Sequence, residues 1–149
     1  MSDPGGFDKR RSAGYLANHM ARLFAGALAR RVAPLGLAPA QFAVLLELWR
    51  EDGLTQRELT ERLDVEQATM ANTLSRMERD GLVGREACAH DRRARSVRLT
   101  AKGLALEADA TGAARRVNEA ALDALSPAER EAFLDMMRRT IDRMREDAL

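Results

Sequence analysis

Arg92, Arg93 and Arg95 crowd into one short polar segment beside a carboxylate, Asp91, and a histidine, His90. A loop carrying three guanidinium groups can reach into a nucleic-acid minor groove, where the negative potential is strongest and narrow A·T tracts attract arginine. Asp91 can hold one guanidinium in a bidentate fork and pre-set the loop. Upstream, the segment EQATMANT at 66–73 offers small and polar side chains of the kind that read base edges. Gln67 and Asn72 can pair bidentately with adenine, while Ala71 or the Thr69 methyl can touch a thymine methyl. Arg76, one helical turn further on, suits a phosphate. Taken alone, each of these segments also reads as an ordinary solvated face with weak surface ion pairs.

The elements around these residues decide between the two readings. Thr55 and Glu58 form a capping box, with Leu54 and Leu59 at the staple positions, so a short helix starts at Thr55 and ends near Leu63. Only Asp64 and Val65 separate it from a second helix at about 66–80, whose inward side is Met70, Leu74 and Met77 and whose stop is Gly81. Two helices joined so tightly meet at a steep angle, a helix-turn-helix. After Gly81 the period changes to two: Leu82-Val83 and Ser96-Val97-Arg98-Leu99 predict a hairpin, with the arginine-rich segment from Ala87 to Arg95 as its loop. The major groove admits a helix and shows a distinct pattern for each base pair, so this order of elements fits duplex DNA.

The flanks read as further helices. Leu16, Met20, Leu23, Ala27 and Leu28 predict one at about 12–33, and Pro39 opens another at about 39–52 with Phe42, Leu45, Leu46 and Trp49 on one side. Thr100 caps an expected long helix at about 101–124, weakened in its middle by Gly112. Ser126-Pro127-Ala128-Glu129 opens the last helix, with a stripe of Phe133, Leu134, Met137, Ile141 and Met144. Residues 1–11, with Pro4, Gly5 and Gly6, read as a disordered arm. The fold class is therefore mainly α with a small β-hairpin wing.

Composition sets the limits. The 149 residues carry a net charge of only +1, but residues 85–102 hold six basic against two acidic side chains, and residues 104–149 hold seven basic against ten acidic. A balanced total thus conceals a basic stretch where a polyanion can dock. Aromatics are 4%, and the single cysteine, Cys88, excludes an intrachain disulfide and fits a reducing, cytoplasmic setting. No apolar run reaches the length of a membrane span, so no membrane partner is expected. His19 and His90 are too few and too separated for a metal site, and no cofactor is implied. No G-x-S-x-G, phosphate loop or CxxC is present, so catalysis is not expected.

Residues 54–103 resemble the DNA-binding core of the MarR family, bacterial regulators named for multiple antibiotic resistance. The likeness lies in LTQRELTERLDVEQATMANTL, in RMERDGLVGR, and in HDRRARSVRLTAKG with its D-x-R motif Asp91-Arg92-Arg93 followed by Leu99-Thr100 and Gly103. LGLAPAQFAVL before the core resembles the family's second helix. The resemblance implies a winged helix-turn-helix lobe at about 39–100 within a single domain at 12–149, and dimerisation helices at about 12–33 and 101–147. It implies a homodimer on a pseudo-palindromic duplex, a repressor of nearby genes relieved by a small-molecule effector, aromatic ones included. Carried over by position, Arg93 is the wing-tip arginine, Asp91 orients the wing, Arg76 and Arg95 hold phosphates, and Gln67, Thr69, Ala71 and Asn72 face the major groove. Tyr15, Asn18, His19 and Trp49 are candidates for the effector cleft, though as core or interface residues they need no such role. Cys88 has a conceivable redox role, but the peroxide-sensing branch carries its cysteine in the first helix, and this chain has none there.

The chain departs from the family pattern at Glu66, where a capping Ser or Thr is frequent, at Ala38, which lacks a capping side chain, and at Asn72, where arginine is common. The rival reading is a winged-helix interaction or adaptor module that binds no DNA, and the arginine-rich loop argues against it.

Overall fold

Ser12 opens the first helix by accepting the Tyr15 N–H, 3.2 Å, and α1 then runs Ala13–Val32. The computed structural model describes residues 6–88 and 94–147. Before α1, Lys9–Arg11 form one 3-10 turn capped by the Asp8 carboxylate, so this part of the expected arm is ordered locally. A 3-10 turn at Ala33–Leu35 ends at Gly36, whose φ of 77° is the left-handed conformation that glycine adopts without strain. Then come α2 (Pro39–Arg50), β1 (Leu54–Thr55), α3 (Gln56–Leu63) and α4 (Gln67–Arg79). The strands β2 (Val83–Ala87) and β3 (Arg95–Leu99) follow, and the chain closes with α5 (Ala101–Ala105), α6 (Glu107–Ala121) and α7 (Pro127–Glu146).

The sheet is antiparallel in the order β1-β3-β2. Val83 pairs with Leu99, Arg85 with Val97 and Ala87 with Arg95, while Leu54 pairs with Val97 from the other side. The two-residue strand β1 is not foreseen by periodicity, because two residues carry no period. It gives the hairpin a third strand and seats Val97 fully in the core. Both hairpin strands reach further toward the loop than the alternation of Leu82-Val83 suggests. The Cys88 N–H still donates to the Ala94 carbonyl at 3.1 Å.

The core gathers under this lobe. Leu45, Leu48, Leu59, Met70, Leu74, Met77 and Leu82 are all at most 1% exposed, so the apolar faces of α2, α3 and α4 close on one another and on the sheet. Burying each such side chain stabilises the fold by about 1.5–3 kcal/mol.

One helix expected at 101–124 is two. The break falls at Leu106 and leaves Gly112 inside an unbroken α6. The break coincides with a contact from α2: the Trp49 indole N–H donates to the Gly103 carbonyl at 3.0 Å. A side chain inserted into the helical hydrogen-bond ladder is a standard origin of a kink.

The chain divides into two compact units, Met1–Ala114 and Arg115–Leu149. The second consists of the end of α6 and α7, which starts with a capping box in which Ser126 accepts the Glu129 N–H and Glu129 accepts the Ser126 N–H. Among the described residues no single helix is long and apolar enough to cross a membrane.

Candidate nucleic-acid interface

The capping box at Thr55 fixes where α3 begins: Thr55 Oγ1 accepts the Glu58 N–H at 3.1 Å and the Glu58 carboxylate accepts the Thr55 N–H at 2.9 Å. The helix ends on Asp64 at φ 50°, a left-handed conformation that aspartate tolerates better than most residues. That single backbone reversal permits the two-helix corner with so few linking residues. Glu66 then occupies the N-cap of α4 and makes no side-chain cap bond. The helix start is nonetheless formed, with the Met70 N–H donating to the Glu66 carbonyl at 3.0 Å.

On α4 the two faces separate as the sequence predicts. Met70, Leu74 and Met77 are buried, whereas Gln67, Thr69, Asn72 and Arg76 are exposed. Ala71 is half-buried at the margin of that outward face. The far end of α4 is gripped from several directions. Lys102 Nζ donates to the Asp80 carbonyl at 2.8 Å, and the Thr100 hydroxyl donates to the Gly81 carbonyl at 2.6 Å. Gln41 Nε2 reaches the Asp80 carboxylate at 3.1 Å, while its Oε1 accepts the Ala38 N–H at 3.1 Å. Gln41 therefore supplies half of the cap that Ala38 itself lacks.

The hairpin is tied down at its root. The Asp52 carboxylate accepts the N–H of Leu99 and of Gly53, both at 2.9 Å. Arg98 lies between Asp52 and Glu86, with Nε 3.4 Å from the Glu86 carboxylate. Arg85 pairs with Glu78 of α4 and donates to Gln56 Oε1 at 3.2 Å. Among the described residues Arg76 and Arg95 form no ion pair, and both are exposed. On the outer side of α3, Arg62 is held further toward its charged form by its hydrogen bond to Glu51, 2.6 Å, with a weaker contribution from Glu47.

Asp91, Arg92 and Arg93, with His90, lie outside the described residues. An open groove of about 710 Å³ lies between the first turn of α3 and the hairpin, with Gln56, Arg57, Arg85, Cys88 and Arg95 among its lining residues. Cys88 is half-buried there.

The four effector-cleft candidates are not brought together as one set. Tyr15, Asn18 and His19 are exposed on α1, where Tyr15 and His19 stand edge to face at 6.2 Å and Lys9 lies over the Tyr15 ring. Trp49 turns instead to Phe42 and to the Gly103 carbonyl. Among the described residues no group of His, Cys, Asp and Glu is arranged to hold a metal ion. Arg85, Asp52 and Gln41 are the residues that sequence reasoning does not single out. Their partners lie far along the chain, and only the turn glycine after Asp52 hints at any of them.

Known proteins share both the sequence and the arrangement. The MarR family model matches residues 35–94, the span from the end of the 3-10 turn after α1 through the first half of the hairpin. The transcriptional regulator HosA of Escherichia coli is 38% identical over 106 residues, 71% of this chain and 78% of that protein. The chain belongs to the MarR family. It is a winged-helix, DNA-binding transcriptional regulator. Among solved structures it is similar to the PcaV regulator of Streptomyces coelicolor in complex with its natural ligand, with TM-score 0.84 and 30% identity, covering 93% of this chain and 97% of that one. It is likewise similar to a MarR regulator of Methanosarcina mazei Go1, with TM-score 0.84 and 26% identity over 89% of this chain and 96% of that one. In MarR terms α3 and α4 are the helix-turn-helix, and β2 with β3 is the wing.

Proposed function

We propose that this MarR-family chain acts as a homodimeric repressor of nearby genes that releases its operator when a small molecule binds. The observation that carries the DNA half of the reading is the division of α4, core on Met70, Leu74 and Met77 and open on Gln67, Thr69, Asn72 and Arg76. Gln67, Thr69, Ala71 and Asn72 meet base edges in the major groove, Arg76 and Arg95 hold phosphates, Arg93 enters the flanking minor groove, and Asp91 orients it. Two-fold symmetry makes the operator a pseudo-palindrome with half-sites about one helical turn apart.

The ligand-bound PcaV relative supports an effector, and Tyr15, Asn18 and His19, exposed on α1, are the residues assigned to its cleft, whereas Trp49 is engaged by Phe42 and the Gly103 carbonyl. An effector that binds better to the DNA-incompetent arrangement lowers operator affinity by that difference alone. A regulator of this kind works in the cytoplasm without cofactor and without catalysis.

Arg93→Ala tests the assignment. The variant should bind its operator more weakly, with a salt dependence flattened by about one counterion. Binding as tight as wild type at every salt concentration would remove the wing arginine from the mechanism.

A further inference from the structure

The hairpin leaves α4 through the short link at Asp80–Leu82, and β2 is the outer strand of the sheet. Backbone pairing to β1, confined to Leu54 and Thr55, reaches only β3. Val83 joins the core at the root of β2, and among the described residues the side-chain hydrogen bonds from β2 to the helices come from Arg85. Arg85 sits in the middle of β2, opposite the fully buried Val97, and its guanidinium pairs through Nε with Glu78 near the end of α4. Through Nη1 it donates to Gln56, the first residue of α3, at 3.2 Å. One planar cation is thus shared by the support helix, the reading helix and the wing.

We propose that Arg85 is a positioning residue for DNA binding, its fork setting the wing against α4 so that helix and hairpin meet two grooves of one duplex together. The inference rests on the DNA-binding reading above. The chemistry favours geometry over fold energy. The Arg85 and Glu78 side chains are 25% and 40% exposed, and ion pairs that wet contribute little to stability. A guanidinium fixes the direction of both bonds at once, which a lysine ammonium on a flexible stem does not. Because Arg85 is already neutralised by Glu78, it is not itself a phosphate ligand, in contrast to the exposed Arg95.

Glu78→Gln separates the two roles, since it adds one positive unit to the DNA-facing lobe while weakening the grip on Arg85. Arg85→Lys keeps the charge and removes the fork. Each variant and the wild type are footprinted on a duplex that the wild type selects from a random pool, with hydroxyl radicals for the sugars along the minor groove and dimethyl sulfate for guanine N7 in the major groove. The proposal expects both variants to lose protection in the flanking minor grooves while keeping it in the major groove read by α4. It also expects affinity to fall roughly tenfold, the loss of about one groove contact. Glu78→Gln binding as tightly as wild type, or more tightly, with an unchanged footprint would overturn the proposal. So would an intact footprint for Arg85→Lys. Failure of the wild type to select or protect any duplex would instead sink the DNA reading, and the positioning role with it.

Discussion

Gly103 illustrates how a single residue controls the placement of the lobe. A Cβ built on it would lie 2.2 Å from the Leu82 carbonyl oxygen, a backbone atom that cannot swing aside. The same residue gives its carbonyl to Trp49 and its N–H to the Thr100 hydroxyl. Gly103→Ala should therefore destabilise the protein by about 1–3 kcal/mol, read as a lower urea midpoint with an unchanged slope. Arginines separate in the same way by their partners. Arg98 is engaged by Asp52 and Glu86, whereas Arg76 forms no ion pair among the described residues. Arg76→Ala should lower the salt slope of operator binding by about one, and Arg98→Ala should leave that slope nearly unchanged. Titrations at several salt concentrations decide this, and equal slopes for the two variants would contradict it. Roles of this kind are only partly legible in the chain. The outward set on α4 follows from helical period alone, but Arg76 and Arg98 differ through partners that sequence spacing does not reveal.

Helix starts are the most legible elements, because a cap is local chemistry. Thr55 with Glu58 and Ser126 with Glu129 read directly from four-residue patterns and form as read. Thr55→Ala should cost about 1 kcal/mol. Because α3 supports the reading helix, it should also weaken DNA binding at temperatures near the melting transition. Glu129 carries a pH signature. Its hydrogen bond from the Ser126 backbone, with a further contribution from the Ser126 side chain, holds its carboxyl below the ordinary carboxylate value. A lowered folded pKa stabilises the protein above the unfolded value and is lost as pH falls through the folded one. The difference in melting temperature between wild type and Glu129→Gln should therefore be present at neutral pH and shrink under acid conditions. A difference that persisted unchanged into acid would contradict the capping role. What the sequence does not disclose at this scale are β1 and the break at Leu106. The first is too short for a period, and the second coincides with a contact from an indole of α2.

At the scale of the molecule the evident feature is apolar surface. The twenty-residue helix α7 has no buried residue, and its Met136, Ile141 and Met144 are at least half exposed. Within the first unit, Leu16 and Leu23 of α1 and Leu104 of α5 are also exposed. Surfaces of this kind mark association sites, and a second copy of the chain is the partner that the MarR reading supplies. Sedimentation should find a dimer, and Ile141→Asp should shift it toward monomer and weaken operator binding together. A wild-type monomer at micromolar concentration would contradict this. Ile141 and Met144 belong to the stripe legible in the sequence and Met136 does not, and a stripe does not say whether it is covered by its own chain or by another. The whole account is tested most directly by selecting duplexes from a random pool with the wild-type protein at a fixed, stated salt concentration. It predicts enrichment of a pseudo-palindrome whose half-sites lie about one helical turn apart. Enrichment of a single unpaired site, or of none, would contradict it.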